Sequence, residues 1–263
     1  MEGIYRMRKE RNLMKKTTTI ILSGVLFLAM VCNANAGVTF GDGGASLQGI
    51  LNDITVNPAG NSSVNVTADA LSDTADSYWS LTATGGSIST LIIELAGFAD
   101  NNKFGIYDKS DPSKQVQLFG GSAGSGDMAM VSIRADGSVW VNLFTDSGIN
   151  FATNEFGYYL DSSHSSDGGF WYSDTTLNSD EMDHMAAYQG KGTDIVRLDA
   201  NLSAGLWTEN EYILAFEDLA SCPSDCDYND FVVMVESVTP VPEPATMVLL
   251  GFGGLILRRC KKV

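Results

Sequence analysis

The chain has 263 residues and a formal net charge of −16, from 16 lysines and arginines against 32 acidic residues. The charge is uneven, because the span 37–240 holds six basic and 29 acidic residues, a net charge of −23. A surface this acidic repels phosphate backbones and anionic lipids, which excludes nucleic-acid binding. With 27 glycines and few basic residues, the span favours short strands and turns over a helix bundle, and its length suits one β domain.

The first 36 residues have the pattern of a secretory signal peptide. Lys15-Lys16 precede the apolar run 20–31, and Ala34-Asn35-Ala36 follows as an A-x-A cleavage pattern. We therefore predict cleavage by signal peptidase between Ala36 and Gly37, with Met14 as the start of the signal. An uncleaved membrane anchor is the less favoured alternative, because this apolar run is shorter than the roughly 20 residues that span a bilayer.

The span 37–240 contains segments with β-rich composition or alternating apolar and polar residues. These predicted strands are 78–84, 90–95, 103–107, 116–119, 128–134, 139–144, 156–160, 195–198, 212–217 and 231–238. Asp136-Gly137 lies between two of them and predicts a tight hairpin. Only 47–54 has the pattern of a helix. We predict a single all-β domain, an antiparallel two-sheet sandwich that is jelly-roll-like.

A six-residue pattern, Asn-x-Phe-Gly-x-Tyr, occurs twice, starting at Asn102 and at Asn154. It indicates either a duplicated half-sandwich or two strands with similar edge chemistry, and we favour the second interpretation. Two copies do not predict a repeat array.

Acidic side chains are concentrated between the last two predicted strands. Glu217 and Asp218 end the first of these strands, and a loop before the second carries further oxygen ligands at Asp225, Asp227, Asn229 and Asp230. Carboxylates this close repel one another unless they are solvated or share a cation. Hard oxygen ligands suit Ca²⁺, so we predict a calcium site here, with a merely solvated acidic turn as the alternative.

The same loop mimics the start of an EF-hand, with Glu236 at the twelfth position. The mimicry fails because position six is Asp230 where the turn needs glycine, and because 231–235 is too apolar and β-branched for a coordinating loop. As a strand this segment would carry Glu236 about 20 Å from Asp230. Glu217 and Asp218 are the better candidates to complete the site, because hairpin pairing would bring them beside the loop.

Cys222 and Cys226 are the only cysteines of the predicted mature chain. In an oxidising compartment they are expected to form a disulfide that tightens the acidic loop. A Cys-x-x-x-Cys metal or redox site is the alternative, but it lacks a nearby histidine and the usual Cys-x-x-Cys spacing.

Candidates for catalysis are weak. Residues 120–124 fit G-x-S-x-G, but a strand is predicted to follow where a nucleophile elbow needs a helix. His164 is expected to be exposed. Asp183 and His184 are possible accessory ligands of the acidic cluster, although a structural hydrogen bond is the favoured role for His184. No spacing of acids singles out a pair for glycoside hydrolysis.

The C-terminal 23 residues, 241–263, have three parts: Pro242-Glu243-Pro244, the apolar run 245–257, and a basic cluster that begins with Arg258-Arg259. This order resembles the PEP-CTERM sorting signal of Gram-negative bacteria. The resemblance implies processing near the motif by exosortase, and a destination at the cell surface or in the extracellular space. A plain C-terminal membrane anchor, a short hydrophobic helix, is the alternative.

A second resemblance covers 154–238. Phe216-Glu217-Asp218-Leu219 and the later Asp225-x-Asp227-Tyr228-Asn229-Asp230-Phe231 are similar to the signature of a family of secreted bacterial domains of unknown function, often found in PEP-CTERM proteins. The resemblance implies a β-rich domain that binds a divalent cation and has no established catalytic activity.

These observations favour a non-enzymatic, exported, calcium-binding β-sandwich with a structural or glycan-adhesion role in an exopolysaccharide matrix. Its expected partners are signal peptidase and exosortase during export, then exopolysaccharide or other surface proteins, with membrane contact only through the tail. Aromatic residues at 158, 159 and 170–172 could stack on sugars, but core packing is the favoured role. The alternative function is a carbohydrate-active hydrolase that uses Asp or Glu side chains.

Overall fold

The structure is a computed structural model that describes residues 45–83, 86–94, 101–164, 168–220 and 226–242. Two α-helices are described, α1 (Ala45–Ile54) and α2 (Asp73–Asp76), together with a 3₁₀ turn at Thr175–Leu177. The strands, in chain order, are β1 (Thr55–Asn57), β2 (Trp79–Leu81), β3 (Ser87–Glu94), β4 (Lys103–Asp108), β5 (Asp111–Phe119), β6 (Met128–Ile133), β7 (Ser138–Val141), β8 (Thr145–Asn150), β9 (Glu155–Asp161), β10 (Phe170–Tyr172), β11 (Met185–Gln189), β12 (Ile195–Val196), β13 (Gly205–Leu206), β14 (Glu211–Phe216), β15 (Phe231–Glu236) and β16 (Val238–Pro240).

Two large antiparallel sheets form a sandwich, which confirms the predicted fold class. One sheet has the order β11-β14-β15-β3-β6-β7-β8. The other has the order β16-β2-β9-β4-β5, with β10 also paired to β9. Because the chain crosses repeatedly between the sheets, residues far apart in sequence lie side by side in the core.

The core between the two sheets is rich in aromatic rings. Phe104, which is fully buried, is its centre: its ring stacks on Tyr158 and Phe231 and meets Phe216 edge to face. These four residues come from both sheets, so the rings join the two layers. Offset and edge-to-face pairs of this kind stabilise a core beyond the area that they bury.

A second core lies on the outer face of the seven-stranded sheet. Helix α1 confirms the predicted helix, although it begins two residues earlier, and it buries Leu47, Leu51 and Ile54 at helical spacing. A small sheet of β1, β12 and β13 continues this cover, and Trp207 packs in the same cluster. The cover hides only part of the outer face of the sheet.

The repeated Asn-x-Phe-Gly-x-Tyr pattern lies on β4 and β9, which are antiparallel neighbours. Gly105 pairs with Tyr159, and Tyr107 pairs with Gly157. A Cβ at Gly157 would lie 2.2 Å from Tyr107 Cζ, and one at Gly105 would lie 2.7 Å from the Tyr159 ring. Each tyrosine therefore needs the glycine of the other strand beneath it. This reciprocal packing explains the pattern as matched strand chemistry.

Turns divide two segments that were predicted as continuous strands. The prediction 139–144 is wrong beyond Val141, because Asn142 and Leu143 have φ values of 50° and 67° and form a turn. The prediction 231–238 is wrong at its end, because Ser237 has φ 60° and the chain then enters the other sheet as β16. The Asp136-Gly137 hairpin is confirmed, with Arg134 N donating to Ser138 O at 3.0 Å.

Candidate metal centre

Strand pairing brings the predicted acidic residues to one end of the seven-stranded sheet. β14 and β15 are antiparallel, with Phe216 opposite Phe231. Glu217 and Asp218 directly follow β14, and Asp230 directly precedes β15. The hairpin geometry expected from the sequence therefore places these three carboxylates together.

Three carboxylates converge closely enough to hold one ion. Oxygens of Glu217, Asp227 and Asp230 all lie within 4.8 Å of one another. Glu217 is 1 % exposed, and the other two are half-buried. Asn229 is buried, and its side-chain amide nitrogen donates to Asp227, one of the three carboxylates. Asp225, the remaining predicted ligand, lies outside the described residues.

Asp218 lies against the three converging carboxylates. We call the four residues Glu217, Asp218, Asp227 and Asp230 the acidic centre. The backbone N–H of Asp218 donates to Asp230 Oδ2 at 3.0 Å, and Asp218 Oδ2 accepts from Asn102 Nδ2 at 3.1 Å. Asn102 is 1 % exposed, and its Oδ1 has no hydrogen-bond partner among the described groups. A buried oxygen without a donor is costly, since it loses the water that it would bind in the unfolded chain.

The acidic centre is electrostatically strained. Burial, followed by the negative charges of Asp218 and Glu217, raises the pKa of Asp230 to about 8. Both causes disfavour a carboxylate beside other carboxylates in a medium of low dielectric constant. A proton or a cation must therefore relieve the repulsion in the folded protein.

Rigid donors hold the backbone of the acidic centre in place. His184 Nδ1 lies 3.1 Å from the carbonyl oxygen of Glu217 and, facing an acceptor, donates to it. The next carbonyl, of Asp218, accepts from Trp171 Nε1 at 2.8 Å and from Ser162 Oγ at 2.6 Å. The Trp171 and His184 rings stack with centroids 3.7 Å apart. The two acidic side chains thus project from a backbone that three side chains fix.

Asp183 and His184, the predicted accessory ligands, lie beside the acidic centre and are not among its converging ligand atoms. His184 is buried, and its Nε2 lies 3.1 Å from Asp180 Oδ2, so it has the structural hydrogen bonds that the sequence favoured. Asp183 accepts from Met185 N through its carboxylate and from the Tyr228 hydroxyl through its carbonyl. Both residues shape the surroundings of the centre.

A second group of acids includes Asp183, which is half-buried. Burial, followed by the charge of Asp73, raises the pKa of Asp183 to about 7. Asp76 is 1 % exposed, its Oδ2 has no hydrogen-bond partner among the described groups, and burial and the charge of Asp183 hold its pKa well above the usual value. The two carboxyls interact, so their protonation is shared.

Without calcium, we expect the stability of the domain to fall as the pH rises from 5 to 8. A folded-state pKa above the unfolded value means that the folded protein binds more protons in this range, so each such carboxyl costs up to about 1.4 kcal/mol per pH unit. Melting temperatures in chelator across this range measure the slope. Asp76→Asn should flatten it, whereas Asp53→Asn, at an exposed position of α1, should not. An unchanged slope in Asp76→Asn would contradict the assignment.

The aromatic residues considered for sugar stacking are mostly core residues. Tyr158, Tyr159 and Trp171 are buried, as favoured by the sequence. Phe170 stacks on Tyr159 with centroids 4.7 Å apart, and Tyr172 meets Tyr107 edge to face at 5.0 Å. Phe170 and Tyr172 nevertheless keep part of their surface in solvent.

The G-x-S-x-G segment, 120–124, is a loop between β5 and β6, so it lacks the helix that a nucleophile elbow needs. His164 is exposed, as predicted. Residues that hold the acidic centre, namely Asn102, Ser162 and Trp171, were not predicted. Asn102 begins the repeated pattern and Trp171 is one of the aromatic candidates, but neither signal indicates a place beside the acidic centre, because each residue reaches it only through the topology of the sheets.

Comparison with known proteins adds two matches. Residues 145–238 match a domain of unknown function (DUF4114), which includes the acidic centre. Residues 240–262 match the PEP-CTERM protein-sorting motif. The chain carries a PEP-CTERM sorting signal. No curated protein and no solved structure matches the chain.

The PEP-CTERM signal implies a protein that exosortase processes and that is exported to the cell surface or extracellular space of a Gram-negative bacterium. Pro242 ends the described part of the chain and is exposed, two residues after the end of β16. The other predicted processing residues, Ala36, Gly37, Glu243 and Pro244, lie outside the described residues. Within the described part of the chain, no helix is long and apolar enough to cross a membrane.

The predicted disulfide concerns the loop before the acidic centre. Cys226 is buried, with φ 40°. Cys222 lies outside the described residues, so the pairing of the two cysteines stays a prediction.

Proposed function

We propose that the exported domain binds Ca²⁺ at the acidic centre and acts as a calcium-stabilised structural or adhesive module outside the cell. The convergence of Glu217, Asp227 and Asp230 carboxylates at the end of the β14–β15 pair carries this proposal. Glu217 is almost fully buried, so bulk water cannot screen the repulsion well.

The type of ligand favours calcium. Ca²⁺ takes 6 to 8 oxygens in flexible geometry, whereas Mg²⁺ demands a near-ideal octahedron and keeps several waters. The acidic centre offers carboxylate oxygens, with the Asn102 amide oxygen beside it. In the described part of the chain, the imidazole nitrogens near it are those of His184, and they already face acceptors at Glu217 and Asp180. This chemistry suits a hard cation better than zinc.

The lysines of the described chain contact acids elsewhere. Their ion pairs are Lys103 with Asp161, Lys109 with Glu155, Lys114 with Asp108, and Lys191 with Asp69. A mobile cation is therefore the natural counter-charge for the acidic centre. The extracellular space, unlike the cytoplasm, lacks the calcium buffers that keep the free ion scarce, so a site of modest affinity would be filled there.

The bound ion would join the ends of two central strands. β14 and β15 are neighbours in the middle of their sheet, and the ion would bridge the residues that follow one and precede the other. A disulfide of Cys222 with Cys226 would tighten the same connection. We further propose that the domain has its structural or adhesive role in an exopolysaccharide matrix, where a rigid, strongly acidic β-sandwich would contact glycan or other surface proteins.

Calcium should raise the melting temperature of the mature domain above that measured in chelator. At free calcium 100 times the dissociation constant, binding adds about 2.7 kcal/mol, which corresponds to roughly 5–10 °C for a domain of this size. Glu217→Gln should abolish most of the shift, and Glu209→Gln, at an exposed position, should keep it. Equal melting temperatures in calcium and chelator would exclude the metal site.

A further inference from the structure

A groove crosses the outer face of the seven-stranded sheet where its cover ends. Its volume is about 170 Å³. One wall comes from the small sheet, at Leu206 of β13 and at Leu198 between β12 and β13. The floor comes from the large sheet, at Met128 and Met234. The groove lies on the face opposite the inner core, since Met234 belongs to the outer cluster.

The walls of the groove are apolar and partly open to solvent. Met128 is 57 % exposed and Leu206 is 44 % exposed. Large apolar side chains left exposed together on a folded domain indicate an interaction surface more often than isolated ones do. Methionine is suited to such surfaces because its flexible, polarisable side chain adapts to different partners.

Two glutamates border the same groove. Glu211 and Glu236 are directly opposite in the β14–β15 ladder, so their side chains share one face. Like charges in this position destabilise a sheet. Burial and the charge of Glu211 raise the pKa of Glu236, and among the described groups none donates a hydrogen bond to the Glu236 carboxylate. Glu211 accepts from Thr208 N, which fixes its position.

We propose that this groove binds the side chain of a lysine or arginine presented by a partner polypeptide. Such a side chain combines an aliphatic stem, which would cover the methionine and leucine walls, with a cationic head that would pair with Glu211 and Glu236. The cation would remove the cross-strand repulsion that the free protein carries. The proposal is independent of the calcium site at the opposite end of these strands.

A metal ion is a poorer occupant of the groove. Apart from the two carboxylates, its side-chain oxygens are hydroxyls of Thr90 and Ser203, and most of the lining is apolar. Ca²⁺ needs 6 to 8 oxygens, so two opposed glutamates in an apolar setting do not make a calcium site.

The test measures binding of a short peptide, Gly-Ser-Leu-Lys-Leu-Ser-Gly, to the calcium-loaded mature domain. Binding is detected from the NMR chemical shifts of the domain at physiological salt. The matched peptide has norleucine in place of lysine. We expect the lysine peptide to shift resonances of the groove, and binding to weaken about tenfold or more in the Glu211→Gln, Glu236→Gln double variant. Glutamine keeps an oxygen for Thr208 N, so the fold should be preserved.

Two controls separate the groove from general attraction to an acidic protein. Glu209→Gln removes a neighbouring exposed charge and should change binding less than twofold. Met128→Ser should weaken binding, whereas Phe144→Ser, at an exposed ring outside the groove, should not. The proposal would be overturned if the norleucine peptide bound equally well, or if no resonance shifted at millimolar peptide. It would also be overturned if Glu209→Gln weakened binding as much as the double variant, or if added Ca²⁺ displaced the peptide at the two glutamates.

Discussion

Asp230→Asn is expected to raise the melting temperature in chelator and to lower it in calcium, relative to the unmodified domain. At pH 8 without metal, the substitution removes one carboxylate from a group of like charges, where burial and then repulsion by Asp218 and Glu217 raise the pKa of Asp230 to about 8. The asparagine keeps a side-chain oxygen that can accept from Asp218 N, as Asp230 Oδ2 does at 3.0 Å. Relief of repulsion on the order of 1 kcal/mol corresponds to roughly 2–4 °C.

In saturating calcium the sign reverses, because a neutral amide oxygen is a weaker ligand than a carboxylate and the stabilisation from binding is reduced. Differential scanning calorimetry in both conditions measures the two effects on the same protein. Asp53→Asn serves as the control, since this exposed acid lies on α1. A loss of stability in both conditions would mean that Asp230 has a structural role and would contradict the account.

Phe104→Ala is expected to be the most damaging single substitution in the core, at about 3–5 kcal/mol. The ring is fully buried and contacts Tyr158, Phe216 and Phe231, which belong to both sheets. Its removal leaves a cavity at the centre of the sandwich, and the loss corresponds to roughly 6–20 °C in melting temperature. Urea unfolding with an unchanged m-value would show that the loss is one of stability alone.

The matched control is Phe144→Ala. Its ring is 86 % exposed in the turn after β7, so the same change of side chain should alter stability by no more than about 0.5 kcal/mol. A similar loss in the two variants would show that Phe104 is not at the centre of the packing.

Local features of the sequence predicted the fold class and most of the acidic centre. Alternation located the ten strand segments, and Asp136-Gly137 located a hairpin. The centre was predictable because Glu217 and Asp230 end and begin neighbouring strands, so the pairing of those strands alone brings them together.

The parts of the fold and of the acidic centre that the sequence did not predict depend on long-range topology. Asn102 is 116 positions from Asp218, to which it donates, and no pattern in either segment announces the contact. β8 was missed because Thr145–Asn150 is a polar edge strand, and β11 because its small residues carry little β signal. The interaction of the buried Asp76 with the half-buried Asp183 is likewise not predictable from the sequence, since acids are normally solvated.

The presence of calcium at the acidic centre is tested most directly by a crystal structure of the mature domain grown in calcium, with anomalous scattering to identify the ion. We expect one ion 2.3–2.6 Å from oxygens of Glu217, Asp227 and Asp230. Ordered density for these three side chains with no ion between them would contradict it.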